Sequence, residues 1–204
     1  MIGIINYGSG NIYAIANIYK SNHVDYFIAD NPEELRSASK LILPGVGDFD
    51  ETMKMIQERG LKTWLDQRVL EDKIPILGVC VGMQIMTKSS EEGRLPGFGW
   101  IEAVVKKIDV SKLNEKPFIP HLGWNTVEIK RNHAILKGID HEKGFYFLHT
   151  YYCECNIEED ILTTTTYGDT MVSAFNNKNI YGFQFHPEKS HGNGEAVLLN
   201  FATL

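Results

Sequence analysis

The 204-residue sequence predicts an α/β fold with three layers, a mixed and mostly parallel central sheet carrying helices on both faces. Short β-type runs alternate with helical patterns through the first half of the chain, which is typical of βα units and a parallel sheet. The second half is richer in strand-like runs of β-branched and aromatic residues. No repeat, low-complexity tract or linker divides the chain, so we expect one domain over residues 1–204.

The elements of the first half follow from this alternation. The predicted strands cover residues 2–6, 24–28, 41–43 and 74–79. Helices are predicted after Gly10, from near Asp48 and over residues 61–70. A glycine-rich turn over residues 8–10 and a tight loop over residues 44–47 follow two of the strands.

The second half predicts six strands, over residues 101–108, 125–129, 145–148, 162–167, 172–175 and 180–185, and a closing helix over residues 195–201. In open α/β sheets, ligands bind at the carboxyl ends of the parallel strands. We therefore expect the functional cleft at that edge.

The charge, the apolar runs and the cysteine spacing of the sequence argue against several classes of function. The net charge of −6, with no concentrated basic face, argues against a nucleic-acid partner. The apolar start lacks the basic residues of a signal peptide, and no run reaches the roughly 18 apolar residues of a membrane span, so we expect no membrane association and a cytoplasmic protein. Cys153 and Cys155 lack a second pair at zinc-like spacing and are interpreted as structural. No metal or cofactor is expected.

Cys80 is the candidate nucleophile. It stands where a strand-like run meets a helix-like pattern, between Gly78 and Gly82. A sharp strand-to-helix turn projects its side chain into a cleft, and glycines tolerate the close packing around it. Helix N–H groups and the helix dipole favour a thiolate at this position. The alternative is a buried core cysteine.

His186 and Glu188 are the candidate partners of this sulfur. In an extended chain, residues two apart face the same side, and Pro187 biases His186 away from helical dihedrals. Glu188 then accepts a hydrogen bond from one ring nitrogen while the other faces the thiol, as in a nucleophile, base and orienter triad. The alternative is a surface loop with ordinary polar residues.

Acyl chemistry also needs donors for the developing oxyanion. The candidates are the backbone N–H of Val81 and an N–H from the loop 44–47, in which Gly45 and Gly47 permit close approach to a substrate. One such donor contributes about 3 kcal/mol. The alternative is that these glycines are simply turn residues.

The motifs resemble the triad (class I) glutamine amidotransferases, and within them the glutaminase subunits of imidazole glycerol phosphate synthases. The cysteine and His-Pro-Glu motifs indicate the superfamily, whereas Pro-Gly-Val-Gly and His-Leu-Gly-Trp-Asn indicate the subfamily. The matching stretches are Tyr7-Gly-Ser-Gly-Asn11, Leu43-Pro-Gly-Val-Gly-Asp48, Gly78-Val-Cys-Val-Gly-Met-Gln84, Ser90-Glu-Glu-Gly93, Pro120-His-Leu-Gly-Trp-Asn125, Phe145-Tyr-Phe-Leu-His-Thr-Tyr151 and Gly182-Phe-Gln-Phe-His-Pro-Glu-Lys-Ser190.

The resemblance implies a class I glutamine amidotransferase fold and hydrolysis of glutamine to glutamate and ammonia through a thioester on Cys80. It implies that His186 and Glu188 complete the triad and that Val81 and Gly47 form the oxyanion hole. Residues implied to hold the amino-acid end of glutamine are Gln84, Glu92, Thr150 and Tyr151. Without the resemblance, a solvated helix end is the favoured interpretation of Glu91 and Glu92.

The resemblance also implies a partner, a (β/α)8-barrel cyclase subunit that forms a heterodimer and receives ammonia through an internal passage. The implied interface residues are Asn11, Trp124, Tyr146 and Lys189. Their alternatives are core aromatic residues at 124 and 146 and an exposed cation at 189.

Two departures from the family leave the pathway open. Asn6 replaces the usual aspartate, and the residues after Asn11 differ from the common pattern. A paralogue that supplies ammonia for amidation of surface sugars is therefore an alternative. A free-standing γ-glutamyl hydrolase is another, although it leaves the interface-like stretches unexplained. A non-catalytic binding module would be expected to lack a triad member, and none is missing.

Overall fold

The computed structural model describes residues 1–113 and 118–204. Its centre is an eight-stranded sheet in the order β2-β1-β3-β4-β12-β11-β10-β7. These strands are β1 Ile2–Ile5, β2 Tyr26–Ala29, β3 Lys40–Gly45, β4 Ile76–Cys80, β7 Glu128–Ile129, β10 Ile161–Tyr167, β11 Asp169–Asn177 and β12 Ile180–Phe183. Strands β2, β1, β3, β4 and β12 pair in parallel, whereas β11, β10 and β7 add antiparallel pairs. The predicted mixed, mostly parallel sheet is confirmed.

Two short ribbons flank the sheet. One pairs β5 (Ala103–Lys107) with β9 (Tyr151–Cys155), and the other pairs β6 (His121–Asn125) with β8 (Phe145–His149), both antiparallel. The chain bends at Thr150 between β8 and β9, so consecutive strands enter different ribbons. This bend places residues of both ribbons beside the central sheet.

The helices lie on both faces of the sheet. They are α1 Ile12–Ser21, α2 Pro32–Leu35, α3 Phe49–Glu58, α4 Leu61–Asp66, α5 Val81–Gln84 and α6 His191–Thr203. The chain moves one way along the sheet from β1 to β2 and the other way from β3 to β4, so right-handed crossovers place α1 opposite α3 and α4. Helix α1 packs against α6, and α3 packs against α4.

The core fills both sides of the sheet. Every residue of β1, β4 and β12 is buried, as expected for strands covered on both faces. Helix α1 turns its buried residues Ile12, Ile15, Ala16 and Tyr19 inward, at the i, i+3, i+4 and i+7 spacing of one helix face.

Several predicted boundaries are wrong. The strand predicted over residues 125–129 is two strands in different sheets, and β9 was not predicted. The helix predicted over residues 61–70 ends at Asp66 and continues as a π-helical turn, Gln67–Glu71. The closing helix begins earlier than predicted, at His191, directly after the 3₁₀ turn Pro187–Lys189.

Candidate active site

The candidate site lies at the carboxyl edge of four neighbouring parallel strands. The glycine-rich turn follows β1, the loop containing Gly47 follows β3, Cys80 ends β4, and His186 lies just beyond β12. Because these strands are parallel neighbours, their carboxyl ends meet at one edge. The cleft therefore lies at the carboxyl edge of the parallel strands, as the predicted fold class implies.

Cys80 occupies a strained elbow between β4 and α5. Its φ of 54° and ψ of −113° lie in a region that non-glycine residues rarely adopt. A Cβ on Gly78 would lie 2.5 Å from the carbonyl oxygen of Gly82, and one on Gly82 would overlap the carbonyl oxygen of Leu43. Both flanking glycines are therefore required by the close packing that the sequence predicts.

Cys80, His186 and Glu188 converge. The thiol of Cys80 and the carboxylate of Glu188 are both hydrogen-bonding partners of the His186 ring, with His186 Nδ1 2.8 Å from Glu188 Oε1. Asn11 Nδ2 donates to the same oxygen at 2.7 Å. The backbone N–H of His186 donates to the Tyr146 carbonyl at 2.9 Å, which fixes the ring against β8.

Burial and partners act in opposite directions on these two titratable groups. Burial alone would lower the pKa of His186, but its contacts with Cys80 and Glu188 outweigh burial and raise it. Burial alone would raise the pKa of Glu188, but the hydrogen bonds from His186 and Asn11 hold it below its ordinary value. The pair therefore favours a charged imidazole beside a charged carboxylate.

The backbone between His186 and Glu188 is not the extended chain that the sequence predicts. His186 is extended, with φ −95° and ψ 97°, but β12 ends at Phe183 and Glu188 lies in the 3₁₀ turn Pro187–Lys189. The predicted contact is present, whereas the strand alternation offered as its reason is wrong. Proline fixes φ at a value compatible with the first position of such a turn.

A cavity of about 290 Å³ opens at this edge. It brings together eight residues that the sequence analysis singled out: Gly47, Cys80, Val81, Gln84, Glu92, Thr150, Tyr151 and His186. Its remaining walls are Val46, Pro120, Leu148 and His149. The thiol therefore faces a cavity that also presents an amide, a carboxylate and a backbone turn.

Two of the four residues expected to bind the amino-acid end of glutamine, Gln84 and Glu92, are oriented by hydrogen bonds to the backbone. Gln84 Nε2 donates to the carbonyl oxygen of Tyr151 at 2.9 Å. Glu92 Oε2 accepts from the backbone N–H of Phe49, the first residue of α3, at 3.0 Å, and burial raises the pKa of Glu92. Glu91 and Glu92 lie in a turn, so the solvated helix end is wrong.

The candidate oxyanion donors line the same cavity as the sulfur. Val81 is the first residue of α5, directly after the nucleophile, and is buried. Gly47 adopts a φ of 110°, which favours glycine, and the preceding carbonyl of Val46 accepts from Ser9 Oγ at 2.5 Å. Both residues line the cavity.

The four expected interface residues divide into two groups. Asn11 points inward to Glu188, as described above. Trp124 is 47% exposed on β6, its ring centroid lies 6.3 Å from that of Tyr146, and Lys189 Nζ lies 5.5 Å from the Tyr146 ring. The alternative of a core aromatic residue is wrong for Trp124.

Sequence reasoning missed three buried residues beside the site. Gln184 Nε2 lies 3.8 Å from Cys80 Sγ, His149 lines the cavity, and His121 contacts His149. Gln184 directly follows β12 and precedes His186 by two residues, but its location beside the sulfur depends on the pairing of β12 with β4, which the sequence pattern does not give. The other two lie inside motifs that were used only to recognise the family.

The remaining cysteines do not line the cavity. Cys153 and Cys155 are free thiols on β9, and burial raises the pKa of both. Over residues 1–113 and 118–204, no cluster of three or more His, Cys, Asp or Glu side chains is placed to hold a metal ion. No helix within those same ranges has the length and hydropathy to cross a membrane.

Comparisons with known proteins identify the family and the fold. Residues 3–203 match the family model "Glutamine amidotransferase class-I". The chain is 46% identical to imidazole glycerol phosphate synthase subunit HisH of Leptospira borgpetersenii and 43% identical to that of Bdellovibrio bacteriovorus, each over the full length of both chains. The PurLQS structure from Thermotoga maritima shares the fold, with a TM-score of 0.74 at 13% identity over 99% of this chain and 97% of that one. The chain belongs to the class-I glutamine amidotransferase family.

Proposed function

We propose that this chain is the glutaminase subunit of an imidazole glycerol phosphate synthase, supplying ammonia for histidine biosynthesis. The observation that carries the proposal is the convergence of Cys80, His186 and Glu188 on a cavity that also holds Gln84 and Glu92. The full-length relatives named as subunits of that synthase support the pathway. We also propose that residues 1–204 form one glutaminase domain, since the family model spans residues 3–203.

In the first half of the reaction, the Cys80 thiolate attacks the side-chain amide carbon of glutamine and forms a C–S bond. The carbonyl oxygen takes up the negative charge, which the N–H groups of Val81 and Gly47 stabilise. The imidazolium of His186 then donates its proton to the amide nitrogen as the C–N bond breaks. Ammonia leaves, and a glutamyl thioester remains on the sulfur.

In the second half, neutral His186 accepts a proton from water as the water oxygen attacks the thioester carbon. The C–S bond breaks, glutamate leaves, and the pair of thiolate and imidazolium is restored. Glu188 stabilises the imidazolium and holds the ring so that Nδ1 faces the carboxylate and the other nitrogen faces the sulfur.

The walls of the cavity fit the amino-acid end of glutamine. Glu92 supplies a carboxylate for the α-ammonium group, and Gln84, Thr150 and Tyr151 supply polar groups around the same end. The backbone N–H of Phe49 fixes the orientation of Glu92. Glutamine bound in this way presents its side-chain amide to the thiol.

We propose that the partner is a (β/α)8-barrel cyclase that docks on the outer face of the β6–β8 ribbon. Leu122 and Trp124 project from β6 and are 57% and 47% exposed, and Leu148 is exposed on β8. Tyr146 and Lys189 border them. Aromatic residues of this kind dominate the binding energy of many interfaces. Ammonia would pass directly into the partner, and the heterodimer would be cytoplasmic.

This apolar face and the names of the full-length relatives favour a synthase subunit over a free-standing γ-glutamyl hydrolase. The same names favour histidine biosynthesis over surface-sugar amidation. No bound cofactor is needed, because the thiol and imidazole supply the nucleophile and the proton transfers.

The test is reconstitution with the cyclase subunit from the same organism. We expect a 1:1 complex that forms imidazole glycerol phosphate with glutamine as nitrogen donor. The matched control is the complex with Cys80→Ala, supplied with glutamine or with ammonium salt. Failure of the wild-type chain to bind this cyclase, or to support the reaction with glutamine, would refute the proposal.

A further inference from the structure

A row of buried polar side chains runs away from the nucleophile, and its first member, Gln184, has no role in the mechanism above. Gln184 Nε2 lies 3.8 Å from Cys80 Sγ, and Gln184 Oε1 lies 3.0 Å from Gln84 Nε2. Gln84 Nε2 also donates to the carbonyl oxygen of Tyr151 at 2.9 Å. Two amide side chains thus connect the reacting sulfur to the backbone of the glutamine cavity.

The same carbonyl receives a second row from the opposite side. His149 Nδ1 lies 2.9 Å from the Tyr151 oxygen, and His149 Nε2 lies 3.0 Å from His121 Nδ1. Asn125 Nδ2 lies 3.2 Å from His121 Nε2. This second row therefore connects the cavity to β6, the strand that carries the exposed Trp124.

The backbone carbonyl determines the direction of every bond in both rows. A carbonyl oxygen only accepts, so Gln84 turns its NH₂ group toward Tyr151, and the same group donates to Gln184. Gln184 therefore presents its own NH₂ group to the sulfur of Cys80. On the other side, His149 donates from Nδ1 and accepts at Nε2, and His121 does the same.

Burial makes each hydrogen bond in these rows necessary. Gln184 is fully buried, and His121 and His149 are 3% and 6% exposed. The His121 ring stacks between Phe147 and Tyr167, at centroid distances of 4.7 and 4.2 Å. A buried polar atom that loses its partner is costly, so each bond constrains its neighbours. Burial lowers the pKa of His149 to about 3 and that of His121 to about 4, consistent with two neutral rings.

We propose that these rows position the glutaminase site. Gln184 orients the sulfur of Cys80, and His149, oriented by His121, holds the Tyr151 carbonyl and with it the turn that lines the glutamine cavity. The inference rests on the proposed glutaminase function. Gln184 contacts a reacting atom and acts on the chemical step, whereas His121 and His149 are positioning residues that act on glutamine binding.

The first test compares His149→Asn with His149→Gln in the complex with the cyclase. The asparagine amide reaches the location of Nδ1 and keeps the donor to Tyr151, whereas the glutamine amide reaches the location of Nε2 and loses it. We expect His149→Gln to raise the KM for glutamine about tenfold, with little change in kcat. We expect His149→Asn to keep this KM much closer to the wild-type value. Equal KM values at equal melting temperatures would overturn the positioning role.

The second test is Gln184→Glu, which keeps an oxygen toward Gln84 but turns a charged oxygen instead of an NH₂ group toward the sulfur. We expect kcat to fall about tenfold or more at nearly constant KM, and iodoacetamide to alkylate Cys80 more slowly. Wild-type values of both kcat and alkylation rate would contradict the assignment of Gln184.

The third test needs no activity and so separates this inference from the proposed function. In the wild-type chain labelled with ¹⁵N-histidine, NMR at neutral pH should show His121 and His149 as neutral rings protonated at Nδ1. A His149 ring protonated at Nε2 would overturn the inference even in an active enzyme. An inactive wild-type complex with both predicted tautomers would refute the glutaminase function alone.

Discussion

At the residue scale, the site depends on a cysteine held in a backbone conformation that cysteine rarely adopts. The positive φ of Cys80 turns its sulfur toward the cavity, and the chain reverses so tightly there that a Cβ on Gly78 would lie 2.5 Å from the carbonyl oxygen of Gly82. Two glycines around a cysteine were enough to predict this elbow. The amide of Gln184 on the sulfur was not predictable, because it depends on the register between β12 and β4.

Cys80→Ala tests the role of the sulfur within the complex. We expect glutamine-dependent product formation to fall by about 10³-fold or more, because the nucleophile is lost. Ammonia-dependent formation should stay near the wild-type rate, since the alanine leaves the fold and the partner site intact. Loss of both activities at an unchanged melting temperature would contradict the role assigned to Cys80.

Glu188→Gln tests the electrostatic role of the carboxylate. Glu188 raises the pKa of His186, so its removal should lower that pKa and move the alkaline limb of kcat/KM to lower pH, by about one pH unit or more. The measurement is the pH profile of glutamine hydrolysis in the complex. An alkaline limb at the wild-type position would show that Glu188 does not act on the imidazole.

At the scale of elements, the β6–β8 ribbon has two different faces. Cross-strand pairs of Leu122 with Leu148 and of Trp124 with Tyr146 face outward, whereas the pair of His121 with His149 faces the core. The sequence analysis located Trp124 but not its strand. The short stretch contains Gly123, and its alternation becomes meaningful only when β8 pairs with it.

Trp124→Ala tests the outward face. Because this indole is 47% exposed in the isolated chain, we expect little change in melting temperature but about tenfold weaker binding to the cyclase subunit. Leu70→Ala is the matched control, since Leu70 is 43% exposed ahead of β4, at the opposite edge of the sheet. Titration calorimetry with both variants gives the comparison, and equal affinities would place the interface elsewhere.

At the scale of the whole molecule, the parallel half of the sheet follows directly from the alternation of strand and helix patterns. The order of its strands places four loops at one edge, so residues far apart in the chain meet at one cavity. The two ribbons were less predictable. Their strands are short and interrupted by the bend at Thr150, so pairing between distant segments decides where they lie.

His121 and His149, the two buried histidines whose pKa values are lowered, predict a pH dependence of global stability. Their pKa values in the folded chain lie near 4 and 3, below the ordinary 6.5, so the unfolded chain binds more protons between these values. Stability should therefore fall as pH decreases below about 6.5, by up to about 1.4 kcal/mol per pH unit for each histidine. Urea unfolding at pH 6.5 and 5.0 measures this loss, since the raised pKa of His186 changes stability only above about pH 6.5. In a His121→Asn variant, which lacks one of these two groups, the stability lost between the two pH values should be smaller than in the wild-type chain. An equal loss in both would contradict the prediction.

The most direct measurement of the central claim is acid quenching of the complex during turnover of glutamine, followed by peptide mass spectrometry. We expect a glutamyl group on the peptide that contains Cys80, absent from the Cys80→Ala complex. The group should increase when His186 is replaced by a residue that slows hydrolysis of the thioester more than its formation. An active complex that carries the glutamyl group on another residue, with Cys80 unmodified, would contradict the account.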